Sequence, residues 1–246
     1  MGNLLRNIAI AIMRDIVTRK LTVPMNHVIL LGDSIFDNRA YVEPGPDVIT
    51  QLRQTLEQQV AEKWHATLLA VDGSVINDIS EQLKQLPEDA THLVVSVGGN
   101  NALREASLLM NDPPDGAIAT LRQFTEMKAL FHRHYRQMLQ AILAARIPTI
   151  LCTIYDQCPT KDPYLGQLMY VALPMFNDCI SREAIQAGFP LLDLRLVCSN
   201  PEDYAEDSPI EPSVKGGQKI ATQIAHILVN HNFQPPQTVV YGGSSS

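Results

Sequence analysis

Val28-Ile29-Leu30-Leu31-Gly32-Asp33-Ser34 is the stretch on which the fold turns. A short apolar run closed by a small-residue turn reads as a parallel strand buried on both faces. In open α/β sheets, ligands bind just beyond the carboxyl ends of the strands, so the Ser34 hydroxyl is expected within a substrate's reach. A serine after a strand is also an ordinary helix cap. The tripeptide Gly32-Asp33-Ser34 therefore takes its meaning from what the other strand ends carry.

Working outward, four more apolar runs have the same character: Ala66–Val71, His92–Val97, Thr149–Ile154 and Leu191–Leu194. Helical patterns fill the gaps at Pro46–Val60, Ile76–Leu86, Leu121–Ala145, Pro174–Ala187 and Val214–Val229. Asp72-Gly73, Gly98-Gly99, Gly188 and Gly216-Gly217 punctuate the boundaries. Strands separated by helices imply right-handed crossovers. The expectation is an α/β fold: a three-layer αβα sandwich around a mainly parallel, roughly five-stranded sheet. The segment Asn111–Gly116, with Pro113-Pro114, reads as a loop after the third strand that borders a pocket.

At 246 residues and 46% hydrophobic content, the chain suits one α/β domain with a sizeable core. Residues 25–232 are assigned to it, between an N-terminal helical extension (1–24) and a flexible tail (233–246). The net charge of −7 comes with no basic cluster, which argues against a nucleic-acid partner. Cys152, Cys158, Cys179 and Cys198 show neither CxxC nor Cys/His metal spacing. Reduced, packed thiols suit a cytoplasmic protein. In the extension, Leu4, Leu5, Ile8, Ile12, Ile16 and Leu21 recur near helical spacing with Arg6, Arg14, Arg19 and Lys20 between them. Polar residues interrupt it too early for a membrane span, and no cleavage site follows. The extension reads as a helix laid on the domain or a poorly ordered arm, with a membrane-surface helix as the sharper alternative and the one route to membrane contact; Met25 is an alternative start.

Three strands end in residues suited to acyl chemistry: the first at Ser34, the second in Asp72-Gly73-Ser74, the third in Gly98-Gly99-Asn100-Asn101. Parallel neighbours lie about 4.8 Å apart, so these ends converge on one small pocket. A tetrahedral intermediate needs donors aimed at its oxyanion. The Ser34 and Gly73 backbone N–H groups and the Asn100 side-chain amide are chemically right for that task. Gly73 and the asparagines also serve as plain turn residues, Asn101 more readily than Asn100.

From Asn26 to Val229 the chain resembles the SGNH (GDSL-type) hydrolases, whose fold is a flavodoxin-like sandwich. Its first block is similar to Val28–Ser34, its second-block glycine to Gly73, and its third block to Gly98-Gly99-Asn100-Asn101, with Asn for the usual final Asp. The resemblance implies Ser34 as nucleophile and Ser34 N–H, Gly73 N–H and Asn100 as oxyanion hole. It also implies hydrolysis of a small or lipid-like acyl ester, with no metal or cofactor.

One departure bears on mechanism. The family pattern has Asp-x-x-His before the last helix, often followed by Pro. Here the stretch is Asp207-Ser208-Pro209-Ile210-Glu211-Pro212-Ser213, which puts Glu211 at the histidine position. His27, His65 and His92 start their strands, roughly 17–20 Å from the strand ends. His132 and His134 lie on a long helix, and His226 and His231 beyond the last loop. Three outcomes stay open: Glu211 is the base, its pKa raised by burial; Asp207 supports it through a shared proton; or the pocket binds an acyl or sugar-ester ligand without turnover. A carboxylate at this place also suits the last helix's N-terminal dipole.

Overall fold

The structure is a computed structural model that describes residues 25–60, 63–111, 115–156 and 163–243. The extension 1–24, Cys158 and the Pro113-Pro114 pair lie outside the described residues.

The sheet is built from β1 (Asn26–Gly32), β2 (Trp64–Leu68), β3 (His92–Ser96), β4 (Thr149–Cys152), β5 (Leu191–Leu192) and β6 (Val240–Tyr241). Their order is β2-β1-β3-β4-β5-β6, every pair parallel. The chain reverses direction across the sheet between β1 and β3, the switch point at which such sheets bind ligands. Six strands stand where roughly five were expected. The sixth corrects the reading of 233–246 as a free tail, because Val240 and Tyr241 pair with Leu191 and Leu192 at the sheet edge.

The helices are α1 (Arg39–Val42), α2 (Val48–Gln59), α3 (Ile79–Leu83), α4 (Gly99–Asn111), α5 (Ala117–Ala145), α6 (Pro163–Ala187), α7 (Leu194–Val197) and α8 (Val214–Asn230). Strand periodicity divides the core between the two faces. Val28 and Leu30 of β1 pack with Leu52 of α2 and Ile224 of α8; Ile29 and Leu31 pack with Tyr135 of α5 and Ile180 of α6. All four β1 residues are fully buried. That arrangement explains why this strand is continuously apolar rather than alternating.

α4 falls where no helix was expected. It begins at Gly99, inside a Gly-Gly-Asn-Asn stretch whose local chemistry favours a turn. Tertiary context overrides that preference: Ala102, Leu103 and Leu109 pack into the core. α6 likewise starts at Pro163 rather than Pro174, with Pro174 inside the helix.

Gly32 admits no substitute. Its φ is +137°, and a Cβ there would stand 1.8 Å from the Ser96 carbonyl oxygen of β3. Glycine alone tolerates both that conformation and that approach. The chain can then turn at the strand end, with the Asp33 N–H donating to Ser96 O at 3.2 Å.

Candidate active site

Residues 33–37 form a helical turn after β1, in which the Phe36 and Asp37 N–H groups donate to Asp33 O, each at 3.1 Å. This turn lifts Ser34 to the head of the sheet. The Ser34 Oγ donates to Glu211 Oε1 at 2.9 Å, across 177 residues of sequence.

Glu211 is held by its backbone. Three consecutive carbonyls are each claimed by a different part of the fold: Ile210 O accepts from the Tyr155 hydroxyl, Glu211 O from Ala205 N–H at 2.8 Å, and Pro212 O from Asn38 Nδ2 at 3.1 Å. Asn38 is itself fixed, its Oδ1 accepting from Val48 N–H at the start of α2. Behind the loop, Asp203 O accepts from Ser213 N–H, and the Asp203 carboxylate pairs with Lys219 of α8 at 2.6 Å. Gly216 allows that docking, since a Cβ there would lie 2.0 Å from Asp203 O. Tyr155, Asn38 and Asp203 were not singled out from the sequence. Their only signal was position beside a strand end or helix start, which many inert residues share.

The dyad lines a cleft with about 580 Å³ of empty space. Asp33, Ser34, Asn100 and Glu211 supply the main polar lining; Ile35, Val97, Leu103, Ile154, Met169 and Leu173 make one side apolar. Asn100 Nδ2 donates one hydrogen to Ser74 O at 2.9 Å, which fixes the amide and leaves its second hydrogen free to point elsewhere. Asn101 serves the scaffold, its Oδ1 accepting from Ile76 N–H at 3.0 Å. Gly73 sits at the turn after β2 with φ +77°, exposed and outside the cleft lining. Neither the Ser34 nor the Gly73 backbone N–H has an acceptor among the described residues. Gln82 of α3 clamps the end of β1, donating to Gly32 O and accepting from Gly32 N–H, both at 2.8 Å.

The electrostatics are those of buried acids without cations. Burial pushes Glu211 up from the usual carboxylate range to about 8; the Ser34 hydrogen bond pulls the other way, and Asp33 and Asp72 add to the rise. Burial likewise pushes Asp33 up to about 7, against the pull of the Ile35 N–H. Asp207 is exposed, so the acids that act on Glu211 are Asp33 and Asp72 instead. Glu211 Oε2 is buried and has no hydrogen-bond partner among the described residues. None of the seven histidines lines the cleft. No helix among the described residues is long and apolar enough to cross a membrane.

A family model described as the GDSL-like Lipase/Acylhydrolase family matches residues 30–219. No curated protein sequence matches. Among solved structures, the chain is similar to the lipase Lip_vut3 from a goat rumen metagenome, with a TM-score of 0.66 and 16% identity over 85% of this chain and 99% of that one. It is similar to the extracellular lipase of Streptomyces rimosus, with a TM-score of 0.59 and 14% identity over 82% and 98%. It is also similar to the acetyl xylan esterase AlAXEase, with a TM-score of 0.58 and 19% identity over 82% and 100%. At such identities the likeness is one of fold.

Proposed function

Because the chain belongs to the GDSL-like lipase/acylhydrolase family, we propose that it hydrolyses carboxylic esters through a Ser34–Glu211 dyad. The hydrogen bond from Ser34 Oγ to Glu211 Oε1, set in the floor of the cleft, carries this reading. A serine hydroxyl is a weak nucleophile until a base within hydrogen-bond reach accepts its proton. Glu211 is the only base in that position among the described residues.

Ionised Glu211 takes the Ser34 proton as Oγ attacks the ester carbonyl carbon. The carbonyl oxygen becomes an oxyanion, for which Ser34 N–H, Gly73 N–H and the free hydrogen of Asn100 are the candidate donors. Collapse expels the alcohol, which leaves with the proton from Glu211. Water then attacks the acyl-enzyme, gives its proton to Glu211, and the carboxylic acid departs as Ser34 Oγ recovers that proton. The apolar side of the cleft suits a hydrocarbon acyl or alcohol portion.

The test is labelling with a fluorophosphonate probe, together with turnover of p-nitrophenyl butyrate. The wild-type protein should label and turn over at pH 8–9, and Ser34→Ala should lose both while keeping its melting temperature. Turnover that survives Ser34→Ala removes the nucleophile. A folded wild-type protein that labels at no pH supports instead a binding protein for acyl or sugar esters, a reading favoured by a Glu211 that keeps its proton at neutral pH.

A further inference from the structure

His27, His65 and Asp89 meet at the opposite end of β1 from Ser34, seven residues or roughly 20 Å away along the strand. His27 and His65 are register partners on β1 and β2, and Asp89 lies in the turn before β3. One ligating atom from each residue lies within 4.8 Å of the other two. The two imidazole centroids are 3.8 Å apart.

His27 is buried and doubly bonded. Its Nδ1 is 2.8 Å from Asp89 Oδ1, and its Nε2 is 2.9 Å from Thr67 Oγ1. A carboxylate only accepts, so Nδ1 holds the ring proton and Nε2 accepts from the Thr67 hydroxyl. That pairing satisfies His27 without a second imidazole. His65 is nevertheless packed against it, and neither of its ring nitrogens has a hydrogen-bond partner among the described residues. A nitrogen lone pair thus stands unused beside a histidine–carboxylate pair.

We infer that His27 Nδ1, a ring nitrogen of His65 and the Asp89 carboxylate form a divalent-cation site best matched to Zn²⁺. Two imidazoles and a carboxylate are a borderline ligand set that suits Zn²⁺ far better than Ca²⁺ or Mg²⁺, with a fourth position left to water. The cation takes the place of the Nδ1 proton. His27 then carries its proton on Nε2 and donates it to Thr67 Oγ1, the same contact with donor and acceptor exchanged. Metal-bound histidines are usually oriented by such an outer hydrogen bond, which makes Thr67 the positioning residue. Zn–N and Zn–O bonds near 2.0–2.1 Å put tetrahedral donor atoms roughly 3.3 Å apart, so the His27–Asp89 contact must open by about half an ångström. Asp89, 63% exposed on a turn, has room to move. The bound cation ties β1, β2 and the turn before β3 together, far from the acyl chemistry.

Calorimetric titration of the untagged, chelator-treated full chain with Zn²⁺ tests this, and the outcome does not depend on any esterase activity. One Zn²⁺ per chain is expected. Binding should be lost in His65→Gln and weakened about 10–100-fold in Thr67→Val. Co²⁺ should give the intense visible absorption of a tetrahedral site in the wild type only. At a Zn²⁺ concentration a hundredfold above Kd, the wild-type melting temperature should rise by about 5–10 °C. His65→Gln should melt like the wild type in chelator and show no such rise. Absence of binding to the wild type, or unchanged binding in both His65→Gln and Asp89→Asn, overturns the site.

Discussion

Glu211 in the cleft and Glu183 between α5 and α6 share the same solvent exposure, 4%, yet their chemistry is opposite. Burial alone would raise both. Around Glu183 that rise is outweighed: Arg136 donates at 2.8 Å and His132 lies at 2.6 Å, and together they hold the carboxyl below its usual range. Among the described residues Glu211 faces the Ser34 hydroxyl, two further carboxylates and no cation, and rises to about 8. The Tyr155 hydroxyl beside it serves the Ile210 carbonyl and gives the carboxylate nothing. What separates Glu183 from the proposed base is a richer donor set at equal solvent exposure, together with the deeper burial of the Glu211 carboxyl. A carboxylate left short of partners is costly in the folded state and basic enough to take a serine proton.

Exchanging each glutamate for its amide should separate the two roles. Glu211→Gln keeps the shape but cannot accept the proton, so kcat for an activated ester should fall by about 10³-fold, the middle of the usual range for a general base. Glu183→Gln should leave kcat within a factor of two or three. Equal losses in the two variants would show that the Glu211 effect is only structural.

Titration gives the next largest effect. Only the ionised form of Glu211 accepts a proton, so log(kcat/KM) should climb by about one unit per pH unit and level off near pH 8. Asp33, Asp72, Ser34, Tyr155 and Tyr41 are the titratable or polar groups that act on this carboxyl or feel it. Asp33 titrates close by, at about 7, so the limb belongs to the pair rather than to one residue. Removing a neighbouring negative charge with Asp72→Asn should move the limb to lower pH. A limb that stays in place, or moves up, contradicts the electrostatic account of Glu211.

How much of this could be read from sequence follows the range of the interactions. β1 and Ser34 were legible because a strand buried on both faces must be apolar and its turn must be small. Glu211 was reached by matching a block, and Pro212-Ser213 fixed its register just before the Ser213 cap of α8. Its partner Ser34 is 177 residues away, and no local pattern states that distance. The contacts that hold Glu211, from Tyr155, Asn38 and the Ala205 backbone, were not legible, because each is a single polar contact without periodicity. α4 was missed for the converse reason: its first residues favour a turn, and only the packing of Leu103 and Leu109 makes them helical. Asp207 drew attention by its place beside the expected block, but its side chain is exposed.

Stability separates the two glutamates again, more gently. Glu183→Gln should cost about 1–2 kcal/mol at pH 7, since Arg136 is half exposed and solvent screens the pair. That corresponds to a melting temperature lower by about 2–8 °C for a chain of this size. The pH dependences then run in opposite directions. Glu183 has a lowered folded pKa, so its contribution is present above the unfolded value near 4.5 and is lost as pH falls through the folded value. The gap between wild type and Glu183→Gln should therefore close on acidification. Glu211 has a raised folded pKa, so its contribution is full below about 4.5 and is lost as pH rises to about 8. Measured by urea midpoint, Glu211→Gln should gain on the wild type between pH 5 and 9, because the amide carries no charge to bury. A constant difference across that range would mean that Glu211 is solvated in the folded protein, and the case for it as a base of raised pKa would fail with it.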